Sequence, residues 1–282
     1  MNGNVIISPG AWLAPAVDWL NMNFRPLFAF IGLVIESTLG GINALLLSMP
    51  PYALVALSVV FALLLANRRI AMLVAAAMGF CYIAGLWQAT VQTVTLVTIS
   101  VVISVAIAFP LGVVASRVRM VEAGLRPLLD VMQTVPPWVY LIPAVIVFSL
   151  DSVPAIIATV IYGVPPMLRL TTLAFKQVPK DLLELGQAIG ATRQAILFKI
   201  ELPAAMPTLL VGLNQCILLS LAMVVLAGLV GAGGLGAEVT RGLTRMEMGV
   251  GLRAGLAIVA VAIVLDRLSR GAILRHRTAK AG

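Results

Sequence analysis

The sequence predicts an all-α integral membrane protein with about seven spanning helices, preceded by an amphipathic helix. Of its 282 residues, 61% are hydrophobic and 11% are charged, and the mean hydropathy is +1.08. A soluble domain carries roughly 25% charged residues. The apolar residues are gathered into stretches near the length of roughly 17 to 25 residues that a spanning helix needs. The seven stretches are 51–67, 69–87, 92–116, 136–150, 152–172, 207–230 and 250–268.

The first 50 residues form a separate segment, because charged side chains interrupt its apolar runs. Asp18, Arg25 and Glu36 lie among these residues, and a charge at the middle of a bilayer is costly. We therefore predict an amphipathic helix at the external interface, with an eighth span as the alternative. The transmembrane domain then covers 51–268, and residues 269–282 form a cytoplasmic basic tail.

A polar segment, residues 176–206, separates two long apolar stretches and has its own helix signals. Pro179 is tolerated at a helix start, and Asp181 suits the positive end of that helix. Gly190 predicts a left-handed stop, and Thr192 can cap a second short helix. Pro203 is predicted to end the second helix. The pattern indicates a compact helix–corner–helix projection outside the bilayer.

The spacing within this segment resembles the cytoplasmic EAA loop of binding-protein-dependent ABC importer permeases. Gly190 follows Glu184 by six residues, and an Ile-x-Leu-Pro sequence lies ten residues beyond the glycine. The resemblance assigns ATPase coupling to Glu184, Gly186, Gly190, Ala191, Ile200, Leu202 and Pro203. The family usually has two alanines after the glutamate, where this chain has Leu185 and Gly186.

Other stretches look like permeases of the glycine betaine and proline betaine uptake class. They include residues 130–140, 165–169, 202–207 and 231–236. The resemblance implies a type I ABC importer transmembrane fold and a homodimeric permease. It also implies two copies of an ATPase subunit, which binds the ATP, and a separate extracytoplasmic substrate-binding protein.

Orientation follows from the distribution of basic residues. If the Glu184 segment is cytoplasmic, 15 of the 19 Lys and Arg residues are cytoplasmic, and Arg25, Arg241, Arg245 and Arg253 are outside. This distribution obeys the positive-inside rule. Seven spans then place the N-terminus outside and the C-terminus in the cytoplasm of a bacterial inner-membrane protein.

Polar residues within or beside the spans have two interpretations. Gln133, Thr134, Asn214 and Gln215 either form hydrogen bonds between helices or line a translocation path. A glycine-rich turn follows the sixth span and is a candidate gate, formed by Gly231, Gly233, Gly234 and Gly236. Its G-x-G-x-x-G spacing lacks the strand that a dinucleotide site requires.

The sequence indicates no catalytic, cofactor or metal site. No G-x-x-x-x-G-K-[ST] motif occurs, and the single histidine, His276, lies in the basic tail. Cys81 and Cys216 lie in separate apolar runs and are interpreted as packing residues. The basic residues lie between apolar spans, which indicates membrane orientation and not nucleic-acid binding.

These observations predict the permease subunit of an ATP-driven importer for osmoprotectants such as glycine betaine, proline betaine or choline. Selectivity is expected to reside mainly in the binding protein. One alternative is an ABC permease for an amino acid such as proline or histidine. A second alternative is an ion-coupled carrier that acts alone.

Overall fold

The computed structural model describes residues 9–278, and all regular secondary structure in this part is helical. The N-terminal residues 1–8 and the tail residues 279–282 lie outside the described residues. Within the described part, the α-helices are α1 Pro9–Ser48, α2 Pro51–Leu65, α3 Arg68–Ile83, α4 Trp87–Arg117, α5 Arg119–Thr134, α6 Leu141–Phe148, α7 Ser152–Lys176, α8 Lys180–Ala188, α9 Arg193–Ile196, α10 Leu202–Ala227, α11 Gly234–Thr244 and α12 Met248–Thr278.

Helices α4, α7 and α10 pack together at the centre of the molecule. Ile156, Val97 and Val224, one from each helix, are almost fully buried. The helices approach closely because small residues lie where they cross. A Cβ added to Gly163 would be 3.0 Å from Oγ of Ser104 and 3.1 Å from Sγ of Cys216. Small residues at a crossing are typical of helices that associate within a membrane.

Five helical stretches in the described part are long and apolar enough to cross a membrane. They are Asp18–Ser48, Trp87–Arg117, Ser152–Lys176, Arg193–Val230 and Met248–Gly271. Helix α5 and the segment Pro137–Phe148 form a sixth candidate, broken by a bend of 106°. The predicted spans at 92–116, 152–172, 207–230 and 250–268 coincide with such stretches.

The predicted total of seven spans is not confirmed. The apolar stretches 51–67 and 69–87 form α2 and α3, of 15 and 16 residues. A helix of that length extends about 22–24 Å, less than the roughly 30 Å hydrocarbon core. The two helices are short because Pro50 precedes α2 and the side chain of Asn67 caps α3 by accepting from the Ile70 N–H. Local caps, and not composition, determine helix length here.

The predicted fourth span, 136–150, is also different in the structure. It consists of a short 3₁₀ turn, Pro137–Tyr140, followed by the eight-residue helix α6. Pro136 and Pro137 interrupt the chain after α5, because proline cannot continue the hydrogen bonding of a helix interior. This segment can cross a membrane only together with α5.

The N-terminal segment is one continuous helix of 40 residues. Its part Asp18–Ser48 contains an 18-residue window with a mean hydropathy of 1.8 and meets the length of a span. Its aromatic residue Phe28 packs edge-on against Phe148 at the end of α6, with ring centroids 5.7 Å apart. The length and composition of α1 favour the alternative of a further span, and the interfacial position remains a prediction.

Candidate functional site

The segment between α7 and α10 contains the predicted glycine corner. Helix α8 ends at a Schellman motif, in which the Ala191 N–H donates to the Gly186 carbonyl at 3.0 Å and the Gly190 N–H donates to the Gln187 carbonyl at 2.9 Å. Gly190 has φ +74°, in the left-handed region. The prediction of a glycine stop at this position is confirmed. We call residues 180–203 the coupling segment.

The second half of the coupling segment continues directly into a spanning helix. Thr192 caps α9, as predicted, by accepting from the Ala195 N–H at 3.2 Å. One turn of π-helix, Leu197–Glu201, then leads into α10, and helical structure continues from Arg193 to Val230. The prediction that Pro203 ends a short helix is wrong. Pro203 lies in the first turn of α10, where a proline ring is tolerated. The wider π turn directly before it connects α9 to α10 without ending the helical structure.

The two halves of the coupling segment pack against each other at Gly186. A Cβ added to this buried glycine would lie 2.6 Å from Cδ1 of Ile200 and 3.3 Å from Cγ1 of Ile196. A side chain at this position would therefore displace the end of the Ile200 side chain. Glu201 forms an ion pair with Arg117 at 2.6 Å, which connects the coupling segment to the end of α4.

The outer surface of the coupling segment is apolar as well as charged. Leu185, Ile189 and Phe198 are exposed by 60%, 73% and 61%. Glu184 and Gly190 are also exposed, whereas Ala191, Ile200, Leu202 and Pro203 are partly buried. Exposed apolar side chains grouped on a polar segment mark a surface that fits another protein.

Asn214 does not face an open path. Its Nδ2 donates to Oδ1 of Asp266 at 3.1 Å, and its Oδ1 accepts from Oγ of Ser269 at 2.5 Å. Both partners belong to α12, so the residue connects α10 to α12. The geometry supports the interhelical interpretation for Asn214.

The other polar residues proposed for a path are exposed on this chain. Gln215, which follows Asn214, is exposed, and Gln133 and Thr134 lie exposed at the end of α5. The hydroxyl of Thr134 donates to the Val131 carbonyl of its own helix. The structure does not bring these residues together with Asn214. Sequence reasoning missed Asp266, although a lone carboxylate inside an apolar stretch is a signal for such a contact.

The glycine-rich turn after α10 is held by two side chains of α4. The Gly234 N–H donates to Oε1 of Gln92 at 3.0 Å, and the Leu235 N–H donates to Oγ1 of Thr93 at 2.8 Å. Gly231, Gly233 and Gly234 all have positive φ. A Cβ added to Gly236 would be 2.6 Å from the Val224 carbonyl oxygen. The turn is therefore a tightly packed connection from α10 to α11, and Gln92 and Thr93 are residues that the sequence did not reveal.

Comparison with known protein families shows which class of membrane protein this chain belongs to. Residues 108–273 match the model of the family described as "Binding-protein-dependent transport system inner membrane component". The matched region includes α5, the coupling segment and the glycine-rich turn. The chain belongs to this family and is a multi-pass membrane protein of the type that ABC importers use as permease.

The most similar relatives refine this assignment. The chain is 41% identical, over 93% of both chains, to the glycine betaine transport system permease protein OpuAB of Bacillus subtilis. It is 40% identical to the glycine betaine/proline betaine transport system permease protein ProW of Escherichia coli, over 94% of this chain and 75% of the relative. A glycine betaine/carnitine transport permease protein, GbuB of Listeria monocytogenes, is 38% identical over 92% and 93%.

A solved structure supports the fold. The inward-facing MetNI methionine ABC transporter matches with a TM-score of 0.59 over 68% of this chain and 95% of the matched chain, at 21% identity. This similarity extends to the fold and not to the cargo. The predicted type I ABC importer fold is confirmed, while the number of spans is not.

Proposed function

We propose that this chain is the membrane-spanning subunit of an ATP-driven importer for osmoprotectants of the glycine betaine and proline betaine type. The observation that carries the proposal is similarity over nearly the whole chain to permeases named for these solutes. Choline is a further cargo within the same chemical class. Membership of a binding-protein-dependent family argues against a carrier that acts alone. The alternative cargoes proline and histidine lack the support that the names of the relatives give to betaines.

The coupling segment supports a mechanical role. Two copies of an ATPase subunit, which bind the ATP, would each contact the exposed face around Leu185 and Ile189 on one copy of a homodimeric permease. Because helical structure continues from Arg193 to Val230, displacement of α9 would be transmitted along α10 to the glycine-rich turn. A separate binding protein would deliver the solute at the other end.

The cargo is tested by reconstituting the chain with its ATPase and binding protein in proteoliposomes. We expect ATP-dependent uptake of radiolabelled glycine betaine, competition by proline betaine or choline, and little competition by histidine. The binding protein is expected to recognise the quaternary ammonium through aromatic side chains. Histidine uptake in preference to glycine betaine would contradict the proposed cargo. Uptake driven by an ion gradient without the ATPase would contradict the transport class.

The proposed orientation places the coupling segment in the cytoplasm and the α11–α12 connection outside. Single cysteines at Gln194 and Met246 test it, because both positions are exposed, and Met246 is 93% exposed. We expect an impermeant thiol reagent to label Met246→Cys in intact cells and Gln194→Cys only after permeabilisation. The native Cys81 and Cys216 are buried, so background labelling should be low.

The same experiment decides the position of α1. Gly3 lies outside the described residues and can carry a third cysteine. Labelling of Gly3→Cys from outside is expected if α1 lies at the external interface, as the sequence predicted. Protection of that cysteine in intact cells would show that α1 spans the membrane. Labelling of Gln194→Cys in intact cells would reverse the whole orientation.

A further inference from the structure

A two-part cavity lies where α4 and α7 end beside the first turns of α5. The first part has a volume of about 580 Å³ and is lined by charged side chains, which are Arg117, Arg119, Arg126, Lys176 and Glu122. The second part has a volume of about 450 Å³ and shares Glu122, Arg126 and Lys176 with the first. The two parts are therefore one continuous cleft.

The charged part has an excess of positive charge. Glu122 accepts from Nζ of Lys176 at 2.5 Å and from Arg126 at 3.0 Å, so one carboxylate forms ion pairs with two cations. Arg117 is paired with Glu201. Among the residues that the structure describes, no ion pair involves Arg119, which is exposed. Apart from the pair of Arg117 with Glu201, three cationic side chains, Arg119, Arg126 and Lys176, line this part together with the single carboxylate of Glu122, and this excess favours an anion.

The second part of the cleft is mainly apolar. It adds the side chains of Leu125, Leu129, Leu168 and Leu173 to the shared charged residues, together with Thr172 and the ion pair between Asp130 and Arg169. Leu129 and Leu168 are buried, whereas Leu173 is 43% exposed. A basic opening that continues into a leucine-lined cleft fits a ligand with an anionic head and a hydrocarbon chain.

We propose that this cleft binds an anionic membrane lipid, with its phosphate among Arg119, Arg126 and Lys176 and an acyl chain against the leucines. Basic pockets between helices at a membrane surface recognise lipid phosphates in this way. A free phosphate would leave the apolar part empty. A small zwitterionic betaine has no hydrocarbon chain to fill the apolar part, so the cleft fits an anionic lipid better than it fits the proposed cargo.

The site also has a structural consequence. A lipid in the cleft would contact α4, α5 and α7 together, beside the ion pair that joins Arg117 to the coupling segment. It would supply counter-charge to cations that Glu122 alone neutralises only in part. Occupancy is therefore expected to stabilise the folded chain, because a ligand that binds the folded state shifts the unfolding equilibrium.

The proposal is tested with the full chain purified in detergent and supplied with phosphatidylglycerol or phosphatidylcholine. Native mass spectrometry measures retained lipid, and thermal unfolding measures stabilisation. We expect selective retention of phosphatidylglycerol, and an affinity roughly thirtyfold lower in the double variant Arg119→Gln/Arg126→Gln, since each of the two basic residues near an anionic lipid contributes about 1 kcal/mol. Inorganic phosphate at equal concentration should not stabilise the chain.

The matched control is Arg68→Gln/Arg69→Gln, which removes the same charge from exposed residues at the start of α3, outside the cleft. It should retain phosphatidylglycerol.

If the double cleft variant does not fold, Ala123→Glu places a negative charge on the cleft lining at an exposed helix position and should give the same loss of phosphatidylglycerol. Equal lipid loss in the control would show unspecific surface attraction. Unchanged binding in the cleft variants, or equal stabilisation by inorganic phosphate, would overturn the proposal.

Discussion

Replacing Gly190 by arginine should abolish solute uptake while leaving the chain inserted in the membrane. Gly190 has φ +74°, and a side chain there costs about 1 kcal/mol. Apart from its two neighbours in sequence, no described residue has an atom within 4 Å of an added Cβ, so the arginine has space on the isolated subunit. In the proposed mechanism, the arginine obstructs the contact between the ATPase and the coupling segment. The measurement is uptake at a verified membrane level, together with the amount of ATPase that co-purifies.

Gly190→Asn is the matched control for backbone strain, since asparagine tolerates the left-handed conformation better than other side chains. We expect this variant to keep much of the uptake and to retain the ATPase. If Gly190→Arg transports normally at a normal membrane level, the coupling segment does not contact the ATPase at this corner. If both variants lose uptake equally, backbone conformation and not obstruction explains the effect.

Replacing Gly228 by alanine should remove most of the folded protein. A Cβ at this position would lie 2.2 Å from the carbonyl carbon of Gly236 and 2.6 Å from the Ala237 nitrogen. Both atoms are backbone, so α11 would have to move away as a unit. That movement would strain the hydrogen bonds that Gln92 and Thr93 accept from the glycine-rich turn. Overpacking costs roughly 1–3 kcal/mol and more where the backbone cannot yield.

The expected result is a large loss of monodisperse protein in detergent and a lower thermal unfolding midpoint. Gly255→Ala is the matched control, because no described residue outside the same stretch of α12 has an atom within 4 Å of a Cβ added at this position. Removing a glycine from a helix interior should stabilise that helix by roughly 0.5–1 kcal/mol. A Gly228→Ala variant as stable as the Gly255→Ala variant would contradict the close backbone approach of α10 and α11.

Features that depend on a few neighbouring residues could be predicted from the sequence. The composition alone indicates a membrane protein, because the core of a soluble domain does not need so large a share of apolar residues. The glycine corner at Gly190 and the cap at Thr192 were predicted because the responsible hydrogen bonds join residues no more than five positions apart. The resemblance of the coupling segment to an EAA loop was visible for the same reason, because the spacing of its motif residues lies within one short stretch of the chain.

Features that depend on which face of a helix meets a neighbour could not be predicted. A membrane helix is apolar on every side, so hydrophobic periodicity does not indicate its packed face. The sequence therefore left Asn214 between two interpretations, and only the position of α12 shows that it contacts Asp266 and Ser269. The contact between Gly228 and Gly236 likewise requires the chain to fold back on itself.

The sequence by itself determined that the chain is a helical membrane protein with a capped polar segment between two spans. Only the tertiary structure decided that Asn214 connects α10 to α12, and that Gly228 lies against Gly236 of α11. It also brought the charges of α4, α5 and α7 around one cleft. The physical reason is the range of the forces: caps and turns act within a few residues, whereas packing and charge pairing depend on helices far apart in the chain.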